Sequence, residues 1–150
     1  MRAVVQRVLE ASVTVDGEVT GRCGAGLMLL VGVKRDDAPA NAVKLAQKVV
    51  NLRIFNDAEG KMNLSLLDLQ ASGQSVGILA VSNFTVYGDA EKSRRPSFFL
   101  AAPFDEGRQV FDEFLSALNG HGVPTETGVY GAHMEVRLVN DGPVTLMLEA

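Results

Sequence analysis

The run Leu27–Val33, L-M-L-L-V-G-V, offers no polar side to water. Strand side chains alternate between two faces, so an apolar run of this length suits a strand covered on both sides. The rest of the chain must then supply a layer above it and a layer below it. Two segments have the spacing to act as cover. From Pro39, a favoured first helical residue, Ala42, Leu45, Ala46, Val49 and Val50 recur on one helical face. Asp36 and Asp37 are available near the positive end of that helix, and a stop is expected near Asn51. From Pro103, residues Gly107, Val110, Phe111, Phe114, Leu115 and Leu118 recur in the same way, with Gly120 as the expected stop.

The other apolar stretches read as strands. Residues 2–15 alternate Ala3, Val5 and Arg7 with Val4, Gln6 and Val8, and end in the β-branched Val13-Thr14-Val15. Asp16-Gly17 predicts a tight hairpin into Glu18–Gly21, which Gly24-Ala25-Gly26 breaks. Leu52–Phe55 and Met62–Leu69 read as short extended pieces, with a turn at 56–61 and a loop at 70–74. Ser75–Phe84 is a further apolar strand running into Thr85–Gly88, and Thr125–Tyr130, Met134–Val139 and Val144–Glu149 complete the set. The strands come in hairpin-like runs instead of alternating with helices. The expected fold class is α+β: one domain over 1–150, a largely antiparallel, barrel-like sheet of seven or eight strands packed by two helices.

Composition removes several kinds of chemistry. A formal charge of −4 argues against a general nucleic-acid coat and leaves room for a local basic patch. Cys23 is the only cysteine, so no internal disulfide forms, and beside an apolar strand it reads as a packed thiol. With two histidines, His121 and His133, and no Cys/His cluster, neither a structural zinc site nor any other metal or cofactor is expected. No apolar run approaches the length of a membrane span and the first residues read straight into a strand, so no membrane association and a cytoplasmic location are expected. G-x-S-x-G, Walker A and G-x-G-x-x-G are all absent.

Three stretches remain. Ser82-Asn83-Phe84-Thr85 places polar side chains at a strand end, where freed backbone N–H groups can bind a carbonyl oxygen or an oxyanion. Lys92–Phe99, K-S-R-R-P-S-F-F, sets cations beside aromatics, a composition suited to a phosphate backbone with a base nearby and equally to a solvated loop. Gly128–Thr145 ends in N-D-G-P-V-T. Proline has no N–H for a ladder and glycine weakens a strand, so Asn140–Thr145 reads as a hairpin turn between two strands.

Together these stretches are similar to the D-aminoacyl-tRNA deacylase family. Met1–Val8, Ala11–Val15 and Gly24–Val33 resemble its first strands. S-N-F-T-V-Y-G-D at Ser82–Asp89 resembles its S-Q-F-T-L-Y-x-D motif. R-R-P-S-F at Arg94–Phe98, G-V-Y-G-A-H-M at Gly128–Met134 and V-R-L-V-N-D-G-P-V-T at Val136–Thr145 complete the match, which spans essentially the whole chain.

The resemblance implies a hydrolase that cleaves the ester of a D-amino acid to the terminal adenosine of tRNA, and of some glycyl-tRNA. It implies a homodimer whose partner molecule is the tRNA acceptor end. Gly142 and Pro143, joined by a cis bond, would reach into the neighbouring subunit as the chiral filter. Ser82, Phe84 and Thr85 would form the catalytic pocket. Thr85 would act as nucleophile or, in the competing account, backbone N–H groups near Phe84 and Thr85 would polarise the ester while the RNA 2′-OH assists water. Asn83, Tyr130, Gly131, Met134 and Asn140 would line the substrate and adenosine site, and Lys92, Arg94 and Arg95 would meet tRNA phosphates. Four positions depart from the pattern: Asn83 for glutamine, Val86 for leucine, Ser93 for glycine and Tyr130 for phenylalanine. Two other readings stay open on the residues alone: a non-catalytic nucleic-acid-binding module, and an esterase for another small acyl group.

Overall fold

A computed structural model describes all 150 residues. Its organising element is β1 (Arg2–Val15), whose two edges are both occupied. One edge is shared by β2 (Glu18–Cys23), paired with its second half, and β3 (Gly26–Gly32), paired with its first half. Asp16 and Gly17 both take positive φ, 48° and 85°, as a two-residue hairpin requires. From β3 the sheet continues to β6 (Gly77–Ser82) and β7 (Thr125–Thr127). β7 then returns towards β2, where Arg22 N–H donates to Glu126 Oε2 (2.8 Å), so the sheet nearly closes into a barrel. The minor strands β4 (Phe55–Asn56) and β5 (Met62–Leu64) form a separate pair.

The expected cover is present. α1 (Pro39–Val50) buries Ala42, Leu45, Ala46, Val49 and Val50. α3 (Phe104–Gly120) buries Val110, Phe111, Phe114 and Leu118. Both pack with Ala3, Val5, Leu27, Leu29, Val31, Ile78 and Ala80 into the main core. On the other side of the sheet Met28, Leu79 and Val81 join Val8, Ala11 and Val13 in a second core. The run 27–33 is therefore buried from both faces, and each large apolar side chain so covered contributes about 1.5–3 kcal/mol.

Several expectations change. The sheet is mixed, because β3–β6 and β6–β7 are parallel. α1 and α3 lie between those strands in sequence, and a crossover through a helix delivers the next strand pointing the same way. A third helix, α2 (Leu66–Ala71), occupies residues read as extended up to Leu69 and as loop beyond it. Its signal is Ser65-x-x-Asp68: Asp68 N–H donates to Ser65 Oγ (3.2 Å), and Asp68 Oδ2 accepts from Ser65 N–H (2.8 Å). Asp37 does lie beside the positive end of α1, directly before its N-cap Ala38, and there it pairs with the Met1 amine (2.7 Å) and accepts from Lys34 N–H (2.6 Å). α3 includes Gly120, and the residue that turns out of it with positive φ is Gly122. The strand into Thr85 stops at Ser82, and residues Phe84–Tyr87 form one 3-10 turn.

The largest correction concerns Asn140–Thr145. No hairpin lies there. β8 (Glu135–Glu149) runs unbroken along the second edge of β1, from Thr14↔Glu135 to Arg2↔Glu149. The register slips between Val8↔Asn140 and Gln6↔Thr145, so the Gly-Pro segment is a bulge opposite Arg7. β8 pairs with β1 alone. A bulge on an outer strand is a place where a ladder tolerates proline.

Candidate functional site

Where β6 ends, the chain must turn away from β3, and the turn makes one wall of a cavity. Asn83 N–H still donates to Val31 O (2.8 Å), after which the backbone coils into the 3-10 turn. Asn83 caps that turn. Its Oδ1 accepts from Thr85 N–H (3.0 Å) and from the Thr85 hydroxyl (2.6 Å). Thr85 therefore has its amide and its hydroxyl proton committed to a neutral amide oxygen. That oxygen is no base, so nothing in this contact activates the hydroxyl for attack. The Phe84 amide has no such cap, and Phe84 itself is exposed, with its ring edge-on to Phe98 at 5.0 Å between centroids.

The opposite wall is the loop after β7. Tyr130 packs edge-on against Phe104 (5.1 Å) and tilted against Phe111 (5.8 Å), and its hydroxyl donates to Phe104 O (3.3 Å). Partial burial raises the Tyr130 phenol above its ordinary range, so it stays a neutral donor. Gly131 has φ +79°, and a Cβ there would lie 2.5 Å from the Phe104 ring, so only glycine lets the loop turn this closely over the start of α3.

Between these walls is a cavity of about 650 Å³, within the usual range for a small-molecule site. It brings together Ser82, Asn83, Phe84 and Thr85 with Tyr130, Gly131 and Met134, seven of the residues expected to line one site. His133, whose role the sequence left open, also lines it. The floor is apolar: Leu30, Val81, Val136 and Phe111.

The other expected residues lie elsewhere. Lys92, Arg94 and Arg95 are exposed on the loop between Asp89 and Ser97, whose ends are joined by paired backbone bonds of 2.8 Å, and form no ion pair within the chain. Asn140 does not reach the cavity. Its Nδ2 donates to Arg7 O (2.9 Å) and Val144 O (3.0 Å), and its Oδ1 accepts from the Thr145 hydroxyl (3.2 Å). It braces the β8 bulge. Gly142 and Pro143 are exposed at the bulge, with a cis bond between them, and are not part of this chain's cavity wall.

Arg7 was not singled out by the sequence, although it shares a face with Ala3 and Val5. It is buried, Nη1 donates to Ile54 O (2.6 Å), and Nε lies 2.8 Å from Asp141 Oδ2. The Nε–H is not aimed at that oxygen, so the contact is ionic rather than a hydrogen bond. Through Asp141 and Asn140, Arg7 fixes both strand positions leading into Gly142. The available signal was the charge itself: an arginine on a core-facing strand position needs partners. Cys23 is partly buried as expected, and burial pushes its thiol up to about 11, which keeps it protonated and unreactive near neutral pH.

The chain is similar to known proteins along its whole length. The family model for D-Tyr-tRNA(Tyr) deacylase matches residues 4–149. The D-aminoacyl-tRNA deacylase of Thermomicrobium roseum is 55% identical over 150 residues, covering 100% of this chain and 94% of the relative. That of Pelobacter propionicus is 52% identical over 149 residues, covering 99% of each. Among solved structures, a c-Myc DNA Unwinding Element Binding Protein superposes with a TM-score of 0.90 at 38% identity, over 100% of this chain and 99% of that one. A probable eukaryotic D-amino acid tRNA deacylase has a TM-score of 0.82 at 18% identity, over 99% and 98%, and shares the fold.

Proposed function

Since the chain belongs to the D-Tyr-tRNA(Tyr) deacylase family, we propose that its cavity holds the aminoacylated terminal adenosine of tRNA and that the β8 bulge of a second copy completes it. The chain is a D-aminoacyl-tRNA deacylase, a carboxylic ester hydrolase. The observation that carries the fuller reading is a separation. The Ser82–Thr85 turn and the Tyr130–Met134 loop share a cavity, while Gly142 and Pro143 are exposed on an edge strand and form no part of its lining. A filter made from those two residues can act only on another molecule's substrate. The free edge of β8, with Val139, Leu146 and Met147 exposed along it, is the surface for that second copy, in a two-fold dimer.

In this reading the adenine lies between Tyr130 and Met134. The Phe84 N–H donates to the ester carbonyl oxygen as negative charge develops there. Water adds to the carbonyl carbon, the bond to the ribose oxygen breaks, and that oxygen leaves with a proton, the neighbouring 2′-OH assisting. The partner's Gly142 and Pro143 carbonyls crowd the position of an L side chain. They exclude by obstruction, which leaves glycyl esters, with no side chain to obstruct, as substrates. Lys92, Arg94 and Arg95 meet phosphates of the acceptor end.

The deciding experiment offers D-tyrosyl-, L-tyrosyl- and glycyl-tRNA to the purified protein. The D and glycyl esters should be cleaved and the L ester spared, with the KM for the D ester rising between 50 and 200 mM salt. Equal rates on the D and L esters would sink the filter. A second reading, a nucleic-acid-binding module without turnover, draws on the likeness to the DNA unwinding element binding protein. It predicts binding of the same tRNA with no hydrolysis of any ester.

Thr85→Ala separates two accounts of the chemistry. With its hydroxyl already given to Asn83, Thr85 is a positioning residue, and the variant should keep kcat within about tenfold of the original. Loss of three or more orders of magnitude, with the fold intact, would restore Thr85 as a nucleophile.

A further inference from the structure

One cation and one aromatic at the rim of the cavity have no part in the chemistry described. Phe99 is 72% exposed, the most exposed aromatic in the chain. Arg35, which lines the cavity edge, lies over its ring, guanidinium carbon to centroid 4.9 Å. The pair is built in. Arg35 Nε–H donates to Phe99 O (2.6 Å) and Arg35 N–H to Leu100 O (3.0 Å), and Ala102 N–H donates to Val33 O (2.9 Å). These bonds lash the two segments together and fix the stack before any ligand arrives. Arg35 forms no ion pair: of its acidic neighbours, Asp37 is spent on the Met1 amine and on Lys34 N–H. Neither Nη group has a hydrogen-bond or ion-pair partner within the chain. Phe99 has one face under the guanidinium and the other open.

An open aromatic face beside an unpaired arginine is the combination that holds a single-stranded nucleotide, by stacking on its base and pairing with its phosphate. A purely apolar occupant would cover the ring but leave the guanidinium without an anion. We propose that Phe99 and Arg35 form a platform for the nucleotide on the 5′ side of the terminal adenosine, with its base on the open face of Phe99 and its phosphate on Arg35. The proposal rests on the deacylase reading above, which puts the terminal adenosine in the adjoining cavity. It makes recognition of the acceptor end extend one nucleotide beyond the esterified one.

The test compares two substrates on the full chain: D-tyrosyl-tRNA, and D-tyrosyl adenosine, which has no 5′ nucleotide. Phe99→Ala should raise the KM for D-tyrosyl-tRNA by about tenfold at unchanged kcat, and leave D-tyrosyl adenosine within twofold. Phe99→Tyr, which keeps the ring, should restore the tRNA KM. Arg35→Gln should lower the salt dependence of the tRNA KM by about one phosphate contact. An unchanged tRNA KM in Phe99→Ala, or equal losses on both substrates, would overturn the platform. If the unaltered protein cleaves neither substrate, the deacylase reading itself fails; if it cleaves both and the variant behaves identically, only the platform does.

Discussion

Replacing Gly142 with alanine should cut kcat/KM for D-tyrosyl-tRNA by on the order of a hundredfold and shrink the preference for D over L. Gly142 has φ +114°, which side chains rarely tolerate. A Cβ at that position would lie 2.8 Å from Val144 Cγ2, 2.9 Å from Val144 N and 3.2 Å from Arg7 Nη2. Val144 Cγ2 can rotate aside, but Val144 N is backbone and cannot. The bulge must shift, carrying the carbonyls of residues 142 and 143 with it. The same strain should lower stability by about 1–3 kcal/mol, read from urea midpoints. Activity is the more telling readout, because neither Gly142 nor Pro143 lines this chain's own cavity. Mixing Gly142→Ala chains with chains whose cavity is filled by Ser82→Phe should return about a quarter of the original sites, each formed between one sound bulge and one sound cavity. Recovery identifies action across subunits. No recovery on mixing, with dimers re-formed, would place the filter's effect within a single chain.

That bulge also marks where local reading of the sequence stops. Gly-Pro inside a strand-like run reads as a turn by every local rule, and the structure runs the strand straight through. β1 decides the matter: eleven of its residues pair with β8, on both sides of the interruption, so Arg7 is skipped and the ladder resumes. Proline's missing N–H is tolerable because β8 has no strand on its other side. By contrast, the segment 27–33 and the helical faces of 39–50 and 104–118 were legible, since their apolar spacing directly records which side is covered. The parallel order of β3, β6 and β7 was not, because it pairs segments about fifty residues apart. The same distinction applies to the cavity. Ser82–Thr85 and Tyr130–Met134 each carry a recognisable motif, and the structure places them on facing walls. Arg7 with Asp141, and Arg35 with Phe99, were not legible as pairs: each joins residues far apart in the chain, and no local pattern in the sequence links one member to the other.

Arg7→Ala should be the most destabilising of these substitutions, and its effect on selectivity should exceed its effect on the fold. The lost donor to Ile54 O leaves a buried carbonyl unpaired, which costs about 1–3 kcal/mol. The lost pairing with Asp141 adds less, because that carboxylate is 41% exposed and water screens it. A total of about 2–4 kcal/mol follows, enough to lower the urea midpoint clearly. Positioning is the larger matter. Arg7 grips Asp141 directly before Gly142, and its own carbonyl accepts from Asn140 just before that. Without the guanidinium the bulge keeps only the Asn140 brace, and the carbonyls of Gly142 and Pro143 are held less firmly. Arg7→Lys isolates the effect: the charge remains, but one ammonium cannot serve Ile54 O and Asp141 in the geometry of a planar fork. The lysine variant should recover part of the stability and little of the D over L ratio. If Arg7 serves only the fold, both variants, measured where they are fully folded, should discriminate D from L as the original does. A ratio that falls in both, with stability partly restored in the lysine variant, identifies Arg7 as the residue that aims the filter.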